Sequence, residues 1–212
     1  MMVGCAKDGA TTRAEADSVQ AERDAALPAK EPAINADTRF AAGQLAESSG
    51  DFGNALKQYQ AALKSNPNHQ GALFCLAILY SRQRQFDPAI ETWNRYITAT
   101  HNAAGGYSNL GFCYECAKRP ADAEKAYQTG IARDPKSQPC RVNYGLMLAR
   151  QGKLSQASEQ LAAVLKPAEV HYDIASILEL QGKKDAARDE YRKSLQADPN
   201  MTDAQTRLAA LD

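Results

Sequence analysis

The sequence has no surplus of charge, few aromatic side chains and no long apolar run. Its 25 basic and 25 acidic residues cancel, and no basic stripe supplies the attraction that nucleic acid or anionic lipid requires. The longest stretch without a charged or strongly polar residue, Gly71 to Tyr80, is far shorter than the roughly 20 apolar residues that span a bilayer. We therefore predict a chain that binds no nucleic acid and has no membrane-spanning segment.

The apolar content consists largely of alanine. Hydrophobic residues make up 44% of the chain, aromatic residues only 7%, and 39 of the 212 residues are alanine. Alanine is the best helix former and is unfavourable in strands. This balance argues against an all-β fold and favours helices that pack at close range.

The chain repeats itself. In steps of 34 residues, with one step of 30 before the last unit, four columns of similar residues come into register. The columns are Gly43, Ala77, Gly111, Gly145 and Ala175; Ala55, Ala89, Ala123, Ala157 and Ala187; Tyr59, Trp93, Tyr127, Leu161 and Tyr191; and Leu63, Ile97, Ile131, Leu165 and Leu195. Such a period indicates a repeat array rather than one or two compact domains.

Each unit has the pattern of two helices joined by a short turn. Apolar residues recur at helical spacing, as in Leu73, Leu76 and Tyr80. Proline ends the second helix after Asn or Asp because it cannot continue a helix. Turn residues mark the joint between the two helices: Gly50, Gly152 and Gly182 in three units, and Asp87-Pro88 and Pro120 in the other two.

The period, the small residue of the first helix, the Ala and Tyr of the second and the closing Pro resemble tetratricopeptide repeats. This resemblance implies an all-α, right-handed α-solenoid of five helix-turn-helix units: 36–69, 70–103, 104–137, 138–167 and 168–201. Residues 202–212 then form a C-terminal capping helix. The fourth unit is about one helical turn short, and the second has His101 where Pro is expected. Residues 1–35, rich in alanine and charge, are predicted to be a flexible tether.

The resemblance also implies that one face of the first helices lines a concave groove. That face carries a broken apolar stripe with arginines at its edge, where a solvated face would be polar. It consists of Phe40, Gln44, Phe74, Ile78, Arg82, Ser108, Phe112, Glu115, Val142, Leu146, Arg150, Tyr172, Ser176 and Glu179. We predict that it binds a protein or peptide segment whose apolar anchors lie between these side chains. The alternative is that these residues pack against neighbouring repeats or under the N-terminal segment.

Some tetratricopeptide domains bind a partner's C-terminal carboxylate through Lys and Asn on this face. Here Phe40, Phe74 and Val142 occupy the matching column. We therefore do not expect that mode of recognition.

Nothing in the sequence predicts a catalytic, metal or cofactor site. Cys113-Tyr-Glu-Cys116 has redox spacing, but it lies late in a first helix, where the helix dipole does not lower a thiol pKa. A structural zinc needs four ligands, and neither a second cysteine pair nor paired histidines occur; His69, His101 and His171 are far apart. We predict that Cys75, Cys113 and Cys140 are structural thiols between first helices, and that the protein is not an enzyme.

Met2-Val3-Gly4-Cys5 resembles the end of a bacterial lipoprotein signal, in which the cysteine receives lipid. The hydrophobic and basic segments that precede such a cysteine are absent from the sequence. Either the true start lies upstream or the match is chance. If lipid is attached at Cys5, the chain is anchored to a membrane in the bacterial envelope or periplasm; otherwise the alternative location is the cytoplasm.

These observations favour a non-catalytic interaction scaffold, similar to small tetratricopeptide lipoproteins that assist assembly of pili or secretion complexes. One alternative is a cytoplasmic adaptor or co-chaperone. The other is an accessory subunit of a separate transferase.

Overall fold

The computed structural model describes residues 34–211, which form eleven α-helices and no strand. The helices are α1 Ala36–Ser48, α2 Phe52–Ser65, α3 Gln70–Arg82, α4 Phe86–Ala99, α5 Ala104–Cys116, α6 Pro120–Arg133, α7 Gln138–Arg150, α8 Leu154–Ala162, α9 Pro167–Leu180, α10 Lys184–Ala197 and α11 Thr202–Ala209. The predicted all-α class is confirmed. Most of the predicted tether and the lipidation candidate Cys5 lie outside the described residues.

The helices pair as successive hairpins. Each odd-numbered helix from α1 to α9 packs against the helix that follows it, and α11 packs against α10. The first helices of the later units also stack directly, α5 on α7 and α7 on α9. Direct contact is sparse between α1 and α3 and between α3 and α5, and α2 and α4 connect these helices instead. The first helices of the earlier units are therefore less closely stacked than those of the later units.

The alanine and aromatic columns form the core of every hairpin. All five alanines of the column from Ala55 to Ala187 are completely buried, and so are Tyr59, Tyr127 and Tyr191. Glycine in the facing column makes room for the tyrosine rings: a Cβ on Gly111 would lie 2.5 Å from the ring of Tyr127. The glycine and alanine columns are therefore the positions where two helices approach too closely for larger side chains.

The Asn-Pro and Asp-Pro pairs end the second helices by a shared device. The side chains of Asn66, Asp134 and Asp198 each accept a hydrogen bond, at 3.0 to 3.1 Å, from the backbone N–H two residues later. This Asx turn reverses the chain while the intervening proline blocks further helix. Proline and the residue before it thus act together as a helix stop.

Within each hairpin, the turn contains one residue with a left-handed backbone. In three turns it is glycine, with φ between 75° and 80° at Gly50, Gly152 and Gly182, as predicted. The other two turns differ from the prediction: the left-handed residues are Arg84 at 59° and Lys118 at 60°. Proline does not mark these turns, because Pro88 and Pro120 lie inside the first turn of α4 and α6, where the missing N–H costs nothing.

The irregular units keep the hairpin but differ at its end. In the fourth unit α8 has only 9 residues, and a four-residue link then leads to Pro167, the first residue of α9. After α4, where proline is missing, His101 and Asn102 both adopt positive φ. The Asn102 side chain accepts a hydrogen bond from the Tyr107 hydroxyl at 3.1 Å, which ties this link to α5.

Candidate functional site

A cleft of about 380 Å³ opens on the concave face between α3 and α5. The lining side chains come from three helices: Ile78, Ser81 and Arg82 from α3, Trp93 from α4, and Asn109, Phe112 and Cys116 from α5. Most of the wall is apolar. The cleft lies where α3 and α5 have sparse contact, so it is a consequence of the packing of the second and third units.

An aromatic cluster supports the cleft. Trp93 is almost fully buried, and its ring packs edge-on against Phe74 at 5.4 Å and against Tyr96 at 5.6 Å between centroids. Phe74 stays 36% exposed above them. Across the cleft Phe112 is 55% exposed, a large apolar surface in contact with water. A cluster of rings in contact around the buried Trp93 on one side and the exposed Phe112 ring on the other form an apolar recess.

The structure thus brings together part of the predicted groove. Ile78, Arg82 and Phe112 line one cleft, and Phe74 lies beside it through its contact with Trp93. These four residues come from only two of the five units. The part of the predicted groove that forms an apolar cleft therefore lies in the second and third units.

Other members of the predicted stripe serve in packing. Phe40 contacts the rings of Tyr59 and His69 and covers Gly71 of the next unit. Tyr172 lies 5.7 Å from Tyr191 between ring centroids. Val142 and Leu146 are half-buried against the cores of the later units, whereas Gln44 is exposed on α1. For the packed residues, contact with neighbouring repeats describes the structure better than an open groove.

Ser108 departs from the prediction most clearly. Its side chain is 2% exposed, and its hydroxyl accepts a hydrogen bond from Nδ2 of Asn143 at 2.9 Å. Asn143 belongs to the next unit, so the bond joins α5 to α7 across their seam. Ser108 therefore holds two repeats together and is not a contact residue of the groove.

The charged groove residues form a recurring arrangement of Tyr, Glu and Arg. Tyr127 donates to Glu115 at 2.7 Å, and Arg150 of the next unit donates to the same carboxylate at 2.6 Å. Tyr59, Glu47 and Arg82 repeat the arrangement at 2.9 and 3.4 Å, and Tyr191, Glu179 and Arg207 form its third copy. Each carboxylate accepts one hydrogen bond from the tyrosine of its own hairpin. It accepts another from an arginine on the helix that begins after that hairpin: α3, α7 or α11. Glu115 thus fixes the register of neighbouring units as well as lining the groove.

Four cleft residues were not predicted from the sequence. Ser81 precedes a predicted groove residue, and Asn109 and Cys116 each follow one, so a wider strip of the same helix faces would have included them. Trp93 was assigned to the core column. It is buried as that column predicts, yet one part of its ring reaches the cleft.

The four cysteines among the described residues are free thiols. Cys113 and Cys140 are buried as predicted, and Cys75 is half-buried. Burial raises the pKa of the thiols of Cys113 and Cys116, and a hydrogen bond with Ser81 opposes this at Cys113. A raised thiol pKa lowers reactivity at neutral pH, which agrees with a structural role for Cys113.

Two histidines, His69 and His171, form polar contacts with other parts of the fold. His69 caps α3, since its Nδ1 accepts from the N–H of Ala72 at 3.0 Å, and its Nε2 lies 3.0 Å from Asp37. His171 pairs with Glu190 at 2.7 Å. Over residues 34–211, no group of three or more His, Cys, Asp or Glu side chains is arranged to hold a metal ion, and no helix is long and apolar enough to cross a bilayer.

Known proteins share these features. Family models for the tetratricopeptide repeat match residues 40–105 and 117–168, and a second such model matches residues 168–201. A relative, the general transcriptional corepressor trfA of Dictyostelium discoideum, is 32% identical over 126 residues, which is 58% of this chain and 9% of that protein. The chain therefore spans about a tenth of the length of this relative.

Two solved structures share the fold. YrrB, described as a TPR protein with an unusual peptide-binding site, is 20% identical with a TM-score of 0.56, covering 89% of this chain and 96% of its own. PilW, described as a widely conserved type IV pilus biogenesis factor, is 22% identical with a TM-score of 0.59, covering 76% of this chain and 77% of its own. Tetratricopeptide repeats are scaffolds that bind protein or peptide partners. On the family models, which together match more than half of its residues, the chain belongs to the tetratricopeptide repeat family.

Proposed function

We propose that the cleft between α3 and α5 binds a segment of a partner protein, and that the chain acts as a non-catalytic assembly scaffold. The observation that carries this proposal is the exposed Phe112 beside a recess supported by buried rings. A large aromatic side chain gains free energy when a partner covers it, roughly 25 cal/mol for each Å² of apolar surface removed from water. Rigid surroundings keep the loss of entropy on binding small.

The experiment that tests this proposal is partner capture by matched variants. Phe112→Ser removes the exposed ring without disturbing the buried aromatic cluster, which Phe74→Ser would disturb. Leu45→Ser is the control, because Leu45 is also a strongly exposed apolar residue but lies outside the cleft. We expect a partner captured by the wild type and by Leu45→Ser to be lost with Phe112→Ser. Equal capture by all three, with unchanged helical circular dichroism, contradicts the proposal.

We further propose that the scaffold assists assembly of a bacterial envelope complex such as a pilus or secretion apparatus, anchored by lipid at Cys5. The lipoprotein-like Met2-Val3-Gly4-Cys5 sequence supports this proposal, and the fold shared with a pilus biogenesis factor is compatible with it. Mass spectrometry of the full-length product from a bacterium, beside Cys5→Ser, tests the anchor. We expect a diacylglyceryl mass increment in the wild type that the variant lacks. An unmodified Cys5 in the membrane fraction would exclude the anchor.

A further inference from the structure

Two of the five hairpin turns contain a cation where the others contain glycine. The left-handed backbone position is Gly50, Gly152 or Gly182 in the first, fourth and fifth units, and Arg84 or Lys118 in the second and third. Glycine adopts this conformation freely, whereas a residue with a Cβ is less stable there. The two exceptions have the same sign of charge and lie in neighbouring units. Strained positions of this kind cluster at functional sites.

Both cations directly follow the helices that form the cleft walls. Arg84 lies two residues after Arg82 at the end of α3, and Lys118 lies two residues after Cys116 at the end of α5. Their charges act on the thiol of Cys116, which lines the cleft. Burial and Glu115 raise the pKa of this thiol, while Lys118, Arg84 and Arg150 lower it. Three cations are therefore close enough to influence one wall residue, and Arg82 lines the cleft directly.

Two acidic groups near the cleft are already engaged. Glu47 accepts from Tyr59 and Arg82, and Glu115 accepts from Tyr127 and Arg150. Arg84 and Lys118 are exposed, and neither forms an ion pair with another described residue. An apolar recess thus lies between two helices that are each followed by an exposed cation without an ion pair among the described residues.

We propose that the cleft recognises an acidic segment, in which one bulky apolar side chain fills the recess and flanking Asp or Glu side chains pair with Arg84 and Lys118. This inference rests on the proposed function and adds the chemistry of the partner. The apolar recess supplies the anchor, and the two cations select the charge around it. Side-chain carboxylates are the source, because two cations follow two different helices and two acidic side chains can pair with both, whereas a C-terminal carboxylate is a single group.

The strain at Arg84 and Lys118 provides a variant that separates binding from folding. Arg84→Gly with Lys118→Gly gives these turns the residue that the other three already have. We expect the double variant to melt at the same temperature as the wild type or higher, since the strain is relieved. Loss of binding in such a protein cannot be attributed to unfolding. Lys57→Gln with Lys64→Gln removes two exposed charges from α2, outside the cleft, and serves as the charge control.

The probe is a library of 12-residue, C-terminally amidated peptides with Leu, Phe or Trp at the centre and random Glu, Lys, Ser and Gly elsewhere. We expect the pool retained by the wild type and by the α2 control to contain about tenfold more Glu than Lys. The enrichment should disappear with Arg84→Gly and Lys118→Gly. Phe112→Ser should retain no peptides. Raising the salt from 50 to 300 mM should reduce retention of the acidic peptides.

The outcomes distinguish this inference from the function on which it rests. Peptides retained without a Glu preference, and lost with Phe112→Ser, overturn the inference and leave the binding cleft intact. Retention that requires a free C-terminal carboxylate, in a parallel library that has one, overturns the assignment to side chains. Tighter binding of a single-stranded oligonucleotide than of the selected peptides also overturns it. If no peptide is retained, or Phe112→Ser retains the same pool, both proposals fail.

Discussion

The hydroxyl of Tyr127 donates a 2.7 Å hydrogen bond to Glu115, twelve residues earlier in the same hairpin. The same carboxylate accepts from Arg150 of the following unit, so one acidic group joins the interior of a hairpin to its neighbour. The two other copies of this arrangement, around Tyr59 and Tyr191, lie in the first and fifth units. The second and fourth units have Trp93 and Leu161 in the tyrosine column, and they lack the bond. This arrangement of Tyr, Glu and Arg therefore joins units at alternate hairpins.

Tyr127→Phe tests the contribution of this bond. The ring remains and only the hydroxyl is removed, so the packing on Gly111 is preserved. A hydrogen bond to a charged acceptor contributes about 1.5 to 3 kcal/mol, and we expect the variant to unfold with about 1.5 kcal/mol less free energy in urea. Tyr107→Phe is the control, because its hydroxyl bonds Asn102 at an exposed position; its expected loss is below about 0.5 kcal/mol. Equal losses in the two variants contradict the account.

Two glycines of α5 provide a paired test of the close approach between helices. A Cβ on Gly111 would lie 2.5 Å from the buried ring of Tyr127, whereas a Cβ on Gly105 would meet nothing within 4 Å. Gly111→Ala should therefore destabilise the protein by about 1 to 3 kcal/mol through overpacking. Gly105→Ala should be neutral or stabilise it by up to about 1 kcal/mol through helix propensity. Thermal melts of both variants measure the difference, and opposite signs are the expected result.

Two carboxylates on α9 should respond to pH in opposite ways. Burial raises the pKa of Asp173, and repulsion from Glu169 raises it further. A raised folded-state pKa gives stability that is fully present below the ordinary value of 3.8 and is lost as the pH rises through the folded value. Asp173→Asn should therefore raise the melting temperature at pH 7, with a gain that shrinks towards pH 3.

Glu179 is the matched comparison. Burial raises its pKa, but hydrogen bonds from Tyr191 and Arg207 outweigh this effect, so the net pKa lies below the ordinary 4.5. Stability from this group is present above pH 4.5 and is lost as the pH falls through the folded value. Glu179→Gln should lower the melting temperature at pH 7, by an amount that shrinks in acid. A shift of the same sign for Glu179→Gln and Asp173→Asn would show that their surroundings are misassigned.

The sequence predicts the hairpins well, because the identity of each column residue reports a local constraint. Ala55 and Gly111 mark close approaches, and Asn66 with Pro67 marks a helix stop; both depend on contacts within one unit or at its end. The burial of Ser108 was not predictable in this way, because it depends on Asn143 of the next unit. The cleft itself depends on how far α3 lies from α5, which no single repeat encodes.

The cationic turns show a different limit. Prolines at positions 88 and 120 are strong turn signals. Because of them, the turns were predicted at Pro88 and Pro120 instead of at Arg84 and Lys118. Both residues occupy the same column as Gly50, Gly152 and Gly182 in the 34-residue register, so that comparison would have found them. Backbone strain at a residue with a side chain is visible only in the structure. The sequence register therefore locates the two cations, but only the structure shows the left-handed backbone that sets them apart.

The central claim is that the cleft between α3 and α5 is where the partner binds. Titration of ¹⁵N-labelled protein with a peptide selected by the library tests it most directly, since every backbone amide other than proline reports separately. We predict that the largest shifts fall at Ile78, Phe112 and Cys116, with smaller ones at the Arg84 and Lys118 turns. Shifts concentrated instead around Tyr172 and Leu180, with the α3 and α5 amides unchanged, would contradict the account.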